Sequence, residues 1–292
     1  MRFLKPVEDA QASPQIKATY QKIRKQLGIT FVPPIFQLMA NYEDYLLHLW
    51  SQIETNLETT EFSQLSKRIS QHAEAVTNHW ISIDPELAGL APTLTPKEIK
   101  DLKKTVAGLT AINATLALVT IAIRENIKGI ALGILKLDKQ AAKNSYTTET
   151  SEEKTAYDLM SIREKSSNLS PTSQLLAPLT GNQSLAISRY SQFFTAVAKF
   201  MDKLLKTETY LTRRVALEEL ILNLVPQIPR PFSITYKEFM ELTQKSPQAK
   251  HIAELTFLLH DLFPAKFPHL VFTCAIMTHA LSPSSSILSK KA

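Results

Sequence analysis

Glycine is scarce here: six occur in 292 residues. Rossmann and P-loop sites both use glycine-rich turns to let the backbone approach phosphate. Neither G-x-G-x-x-G nor G-x-x-x-x-G-K occurs, which argues against nucleotide binding by those routes. Cysteine is scarcer still. Cys274 stands alone, so no internal disulfide, cysteine-rich zinc site or C-x-x-C redox pair can be built. It lies in the apolar run Val271-Phe272-Thr273-Cys274-Ala275-Ile276 and reads as a packed core thiol. Massed charge is missing too. The formal net charge is +6, but the closest approach to a basic patch, Lys97, Lys100, Lys103 and Lys104, is interrupted by Glu98 and Asp101. That pattern reads as a mixed, solvated helix face and not as a nucleic-acid surface. The histidines show no metal-ligand spacing, and neither metal nor cofactor is expected.

One uncharged run, residues 105–123, is long enough to cross a bilayer. It carries Asn113, Gly108 and threonines at 105, 110, 115 and 120, and no second membrane span is expected elsewhere. A helix buried on all sides in a soluble core has the same pattern, and that is the reading adopted. The first residues, Met1 to Pro6, have no apolar signal-peptide core, which fits a cytoplasmic address.

No sustained strand alternation appears, and the apolar spacing predicts an all-α fold. Helices are expected over 16–27, closed by Gly28, then over 35–57, 61–78, 96–104 and 106–126. The rigid Val32-Pro33-Pro34 elbow precedes the second of these. Phe36, Met39, Leu46, Leu49, Trp50 and Ile53 are its expected core face. Later helices are expected over 185–205, 210–224, 236–244, 247–262 and 269–281. Residues 144–173, rich in Ser, Thr, Lys and Glu, read as a polar linker between units 1–143 and 174–281. Residues 282–292 read as a disordered tail.

The two units echo each other. Leu57-Glu58-Thr59-Thr60-Glu61-Phe62 parallels Leu205-Lys206-Thr207-Glu208-Thr209-Tyr210. Each places a threonine cap between helices with an aromatic just after it. Farther on, Thr95 with Glu98 parallels Thr235 with Glu238, a capping box in both. The shared order and spacing predict an internal duplication: two pseudo-symmetric helical repeats packed as one globular unit.

Val32-Pro33-Pro34-Ile35-Phe36-Gln37-Leu38-Met39-Ala40, followed by Tyr45-Leu46 and Trp50, resembles the leading helix of the group I 2-haloacid dehalogenases, also called halocarboxylic acid dehydrogenases. The run from Phe257 to Pro264 resembles the end of that family's second repeat. The leading motif also occurs in the alkylhydroperoxidase-like carboxymuconolactone family, whose paired cysteines this chain lacks.

The dehalogenase resemblance implies two helical repeats about a pseudo-twofold axis, a homodimer, and a cofactor-free site between the repeats. There an aspartate activates water for direct displacement of halide from a small 2-halocarboxylic acid, with no ester intermediate. It further implies that Phe36 is a substrate-side aromatic and that Asn113 positions the water. The aspartate falls in a stretch that here reads Ser188-Arg189-Tyr190, so Arg189 stands where the base is expected. A guanidinium stays protonated and takes no proton, though it can hold a carboxylate in a bidentate fork.

Alternatives stand beside these roles. Phe36 and Tyr190 also read as core aromatics, Arg189 as a surface cation, and Asn113 as part of a buried hydrogen-bond network. Asp261 and Glu254 are the acids that could replace the missing base. His260 beside Asp261 reads as a pair pointing apart on a helix. The functional expectation is a 2-haloacid dehalogenase-like hydrolase, active or impaired. The alternatives are a non-catalytic relative with an anion pocket, or a protein-interaction module using the lysine-bearing helices or the tail.

Overall fold

The computed structural model describes residues 4–81, 94–145 and 190–282. Among them the secondary structure is helical, with no strand, as the apolar spacing predicts. The 144–173 linker beyond residue 145, the tail beyond residue 282, Ser188 and Arg189 lie outside the described residues.

Helix α1, Pro14–Leu27, starts where the Ser13 hydroxyl accepts the Ile16 N–H at 3.2 Å. It ends at Gly28, whose φ of 64° lets its N–H turn back to the carbonyls of Arg24 and Lys25. After the proline elbow come α2, Pro34–Met39, and α3, Glu43–Leu57, in place of the single helix expected. The break is fastened by polar contacts that spacing does not reveal. The Asn41 amide donates to the Lys5 and Leu38 carbonyls, and the Tyr42 hydroxyl donates to the Gln248 carbonyl at 2.8 Å. The expected core face, from Phe36 through Met39, Leu46, Leu49 and Trp50 to Ile53, is buried throughout.

The threonine caps are where the sequence places them. Thr59 accepts the Phe62 N–H to open α4, Thr60–Trp80, and Thr207 accepts the Tyr210 N–H to open a later helix, both at 3.3 Å. Thr95 and Glu98 close a capping box by exchanging backbone N–H bonds with each other's side chains, and so do Thr235 and Glu238.

The helix opened by Thr95 differs most from expectation. Instead of two helices parted near Thr105, α5 runs unbroken over Pro96–Ser145. Its threonines do not interrupt it, because their hydroxyls donate one turn back. Thr105 bonds the Asp101 carbonyl, Thr110 the Val106 carbonyl and Thr120 the Leu116 carbonyl, at 2.8–3.0 Å. Helix α5 is also the one described helix long and apolar enough to cross a membrane, and 72% of its most apolar window is buried against the rest of the protein.

The second half supplies α6, Ser191–Leu204; α7, Glu208–Leu224; and α8, Tyr236–Gln244. Where one helix is expected over 247–262, a 3₁₀ turn (Ala249–His251), α9 (Ile252–Phe257) and a π-helical segment (Leu258–Leu262) follow in series. The π register has a local cause. Pro264 has no N–H to give the His260 carbonyl, and the Phe263 N–H reaches back five residues to the Leu258 carbonyl. The chain continues directly into α10, Phe263–Ala280, so the last helix begins a turn and a half before the expected residue 269.

Helix α10 is apolar on nearly all sides and lies along α5 as the densest helix pair of the fold. Helix α4 packs on both, α7 covers α4 and α5, and α1 and α8 flank α3. The core therefore centres on α5 and α10, with the Val32-Pro33-Pro34 elbow against them.

Candidate functional site

The elbow meets α5 and α10 at a small cavity. Helix α5 presents Leu109, Ile112, Asn113 and Leu116 to it, and α10 presents Phe263, Lys266, Phe267 and Leu270. Both sets follow the i, i+3, i+4, i+7 spacing that puts side chains on one helix face. Phe31, Pro33 and Pro34 form the remaining described wall. The open space is about 30 Å³. That is room for a water or two and far below a ligand pocket of roughly 300–1,000 Å³.

Two polar groups face this apolar enclosure. The Asn113 amide, 8% exposed, donates to the Cys274 sulfur at 3.4 Å. Cys274 lies four residues beyond Leu270 on the same α10 face. Burial pushes its thiol up to about 11, against hydrogen bonds from Asn113 and Thr110 that lower it. The thiol is inert packing, as its apolar neighbours suggest. The second group is Lys266, whose pKa burial lowers from the ordinary lysine value. Sequence reasoning missed it. The available signal was a lone lysine inside Phe263-Pro264-Ala265-Lys266-Phe267-Pro268, an aromatic and proline-rich run with no place for an unpartnered surface charge.

The residues singled out from the sequence do not all converge. Asn113 reaches the cavity. Phe36 lies behind the elbow, 1% exposed and edge-on to Trp50 with ring centroids 5.5 Å apart. Tyr190 is buried at the start of α6 and is not among the described lining residues. Ser188 and Arg189 fall outside the described residues. Neither substitute base borders the cavity. Glu254 accepts the Leu4 N–H at 2.6 Å, and burial raises its pKa. Asp261 belongs to a separate polar pocket. There the π segment overturns the expectation that His260 and Asp261 point apart: Asp261 Oδ1 lies 3.2 Å from His260 Nδ1.

The family profile described as halocarboxylic acid dehydrogenase DehI matches residues 30–170, a stretch holding the elbow, Phe36 and Asn113. A search of curated proteins by sequence finds no match. Among solved structures, a D-2-haloacid dehalogenase mutant in complex with D-2-CPA superposes with a TM-score of 0.67 at 12% identity, covering 96% of each chain. A D-2-haloacid dehalogenase with L-LA superposes with the same TM-score at 13% identity, covering 96% of this chain and 97% of that one. At such identity these likenesses speak for the fold. The profile match lies inside that shared fold, so over residues 30–170 the chain is similar to the halocarboxylic acid dehydrogenase, or group I 2-haloacid dehalogenase, family.

Proposed function

We propose that this protein keeps the dehalogenase scaffold and a small-carboxylate cavity, while metal-free hydrolytic dehalogenation by direct water attack is weak or absent. The observation that carries this reading is the composition of the Asn113 cavity. It offers an amide and a lysine, with no carboxylate among its described lining residues. An acid's head group would replace the one or two waters the space can hold, with its oxygens toward Lys266 and Asn113. A neighbouring anion favours the charged form of Lys266 and so offsets the desolvation that lowers its pKa.

Catalysis needs a further group. Water attacking the α-carbon must lose a proton as the carbon–oxygen bond forms and halide leaves. Asn113 can orient that water but cannot accept the proton. Arg189, at the position the resemblance gives to the base, cannot accept it either. Glu254 and Asp261 are engaged elsewhere.

The test is halide release from each enantiomer of 2-chloropropionate by the native chain and by Arg189→Asp. Native turnover is expected at or near background, and Arg189→Asp is expected to raise it, since a positioned base contributes about 10²–10⁴-fold. Propionate binding by the native chain, lost in Lys266→Met, is the accompanying expectation. Robust native turnover would overturn the impaired reading, and absence of propionate binding would overturn the carboxylate cavity.

A further inference from the structure

The space large enough for an ordinary small ligand lies elsewhere. Between α5, α7 and the π segment is a polar pocket of about 300 Å³, lined by Arg124, Lys128, Arg214, Glu218, His260 and Asp261. We propose that this pocket is a second binding site, for a small oxyanion carrying a carboxylate or phosphate group.

Three cations line it against two acids, with Glu125 beside them as a third, and the acids only partly satisfy the cations. Arg124 pairs through Nε with Glu125 at 3.0 Å, and Lys128 stands 3.6 Å from the same residue. Arg214 Nε lies 3.3 Å from Glu218 Oε1, yet neither buried atom is aligned for a hydrogen bond. Both ring nitrogens of His260 are likewise buried without a hydrogen-bond partner, although Asp261 is close to one of them. Four polar atoms left without hydrogen bonds on two elements around one pocket are costly unless something completes them. Two guanidinium groups and an imidazole are the donors that recognise delocalised oxygen charge. The π segment supports the same reading. It aims His260 and Asp261 into the pocket together, and such segments often occur at functional sites.

The acids do not forbid an anion. Asp261 is about half exposed to water, with a side-chain accessibility of 47%. Burial raises the pKa of Glu218, opposed by Arg214 and Arg124, and an anion beside it would favour its neutral form further. The groups facing Glu218 are Arg124 and Lys128 from α5, Arg214 from its own helix, and His260 and Asp261 from the π segment.

The test uses the full chain and two probes, sulfate and malonate, each titrated against chloride at constant ionic strength by calorimetry and thermal unfolding. At least one oxyanion is expected to bind saturably and raise the unfolding midpoint, with chloride doing neither. The tighter of the two identifies a tetrahedral or a planar head group. Arg214→Gln is expected to weaken binding about tenfold to a hundredfold, the worth of a charge-assisted hydrogen bond. Lys128→Gln, at a side chain 57% exposed that the fold does not need, is expected to weaken it about threefold. Lys266→Met, in the other cavity, should leave it unchanged, which separates this site from the carboxylate cavity. If neither anion outperforms chloride, or if Arg214→Gln and Lys128→Gln bind as the native chain does, the pocket is a solvated ion-pair network and the proposal falls. Should Arg214→Gln fail to fold, Lys128→Gln decides.

Discussion

Asn113 and Cys274, 161 residues apart in sequence, meet where α5 packs along α10: the amide donates to the thiol sulfur at 3.4 Å. Sulfur is a weak acceptor, so this contact locates Asn113 more than it stabilises it. Asn113→Leu is therefore expected to change unfolding free energy by no more than about 1 kcal/mol while abolishing propionate binding. Cys274→Ala is expected to cost about 1–2 kcal/mol through the void it leaves. Urea unfolding checks both. A loss of about 3 kcal/mol or more for Asn113→Leu would show that the amide anchors a stronger network than this bond.

Tyr210 and His269 set a pH dependence. The Tyr210 hydroxyl is 2.6 Å from His269 Nδ1, and burial holds the tyrosine in its neutral form. Burial, helped by Arg214 and Lys266, depresses His269 from 6.5 to about 4. The folded histidine thus binds its proton less readily than the unfolded one. Its contribution to stability is fully present above pH 6.5 and is lost as pH falls through the window down to about 4. The total loss is about 3 kcal/mol, with the order of magnitude set by the size of the shift. Urea midpoints measured across that window are expected to fall, and His269→Gln is expected to flatten the fall. An unchanged slope in the variant would assign the acid sensitivity to other groups.

Two glycines make opposite predictions. A Cβ at either Gly28 or Gly108 meets nothing within 4 Å, so packing does not distinguish them. Backbone does. Gly28 holds φ at 64°, and Gly28→Ala is expected to destabilise by about 1 kcal/mol. Gly108 is exposed within α5, and Gly108→Ala is expected to stabilise by about 0.5–1 kcal/mol. Thermal unfolding of the two variants beside the native chain reads both signs at once.

The helix starts were legible because capping is a short-range affair. The oxygen of Thr59, Thr95, Thr207 or Thr235 needs only an N–H three residues away. The same shortness limits what the paired motifs say. The helices that follow Thr95 and Thr235 run 50 and 9 residues, so a shared start does not carry a shared length. Pseudo-symmetric repeats remain a proposal resting on the motif order.

Apolar spacing, proline placement and threonine caps determined from the sequence alone that this chain is helical, where most helices begin, and that Phe36, Trp50 and Cys274 are core. Each of those depends on neighbours within a turn or two, or on the cost of leaving an apolar group in water. Only the tertiary structure decided that Asn113 shares a cavity with Lys266 and not with Phe36, and that His260 and Asp261 turn into one pocket with Arg124 and Arg214. The lysine's depressed pKa and the pocket's unmade hydrogen bonds arise where helices far apart in sequence remove water from the same point, and no local pattern of residues encodes that meeting.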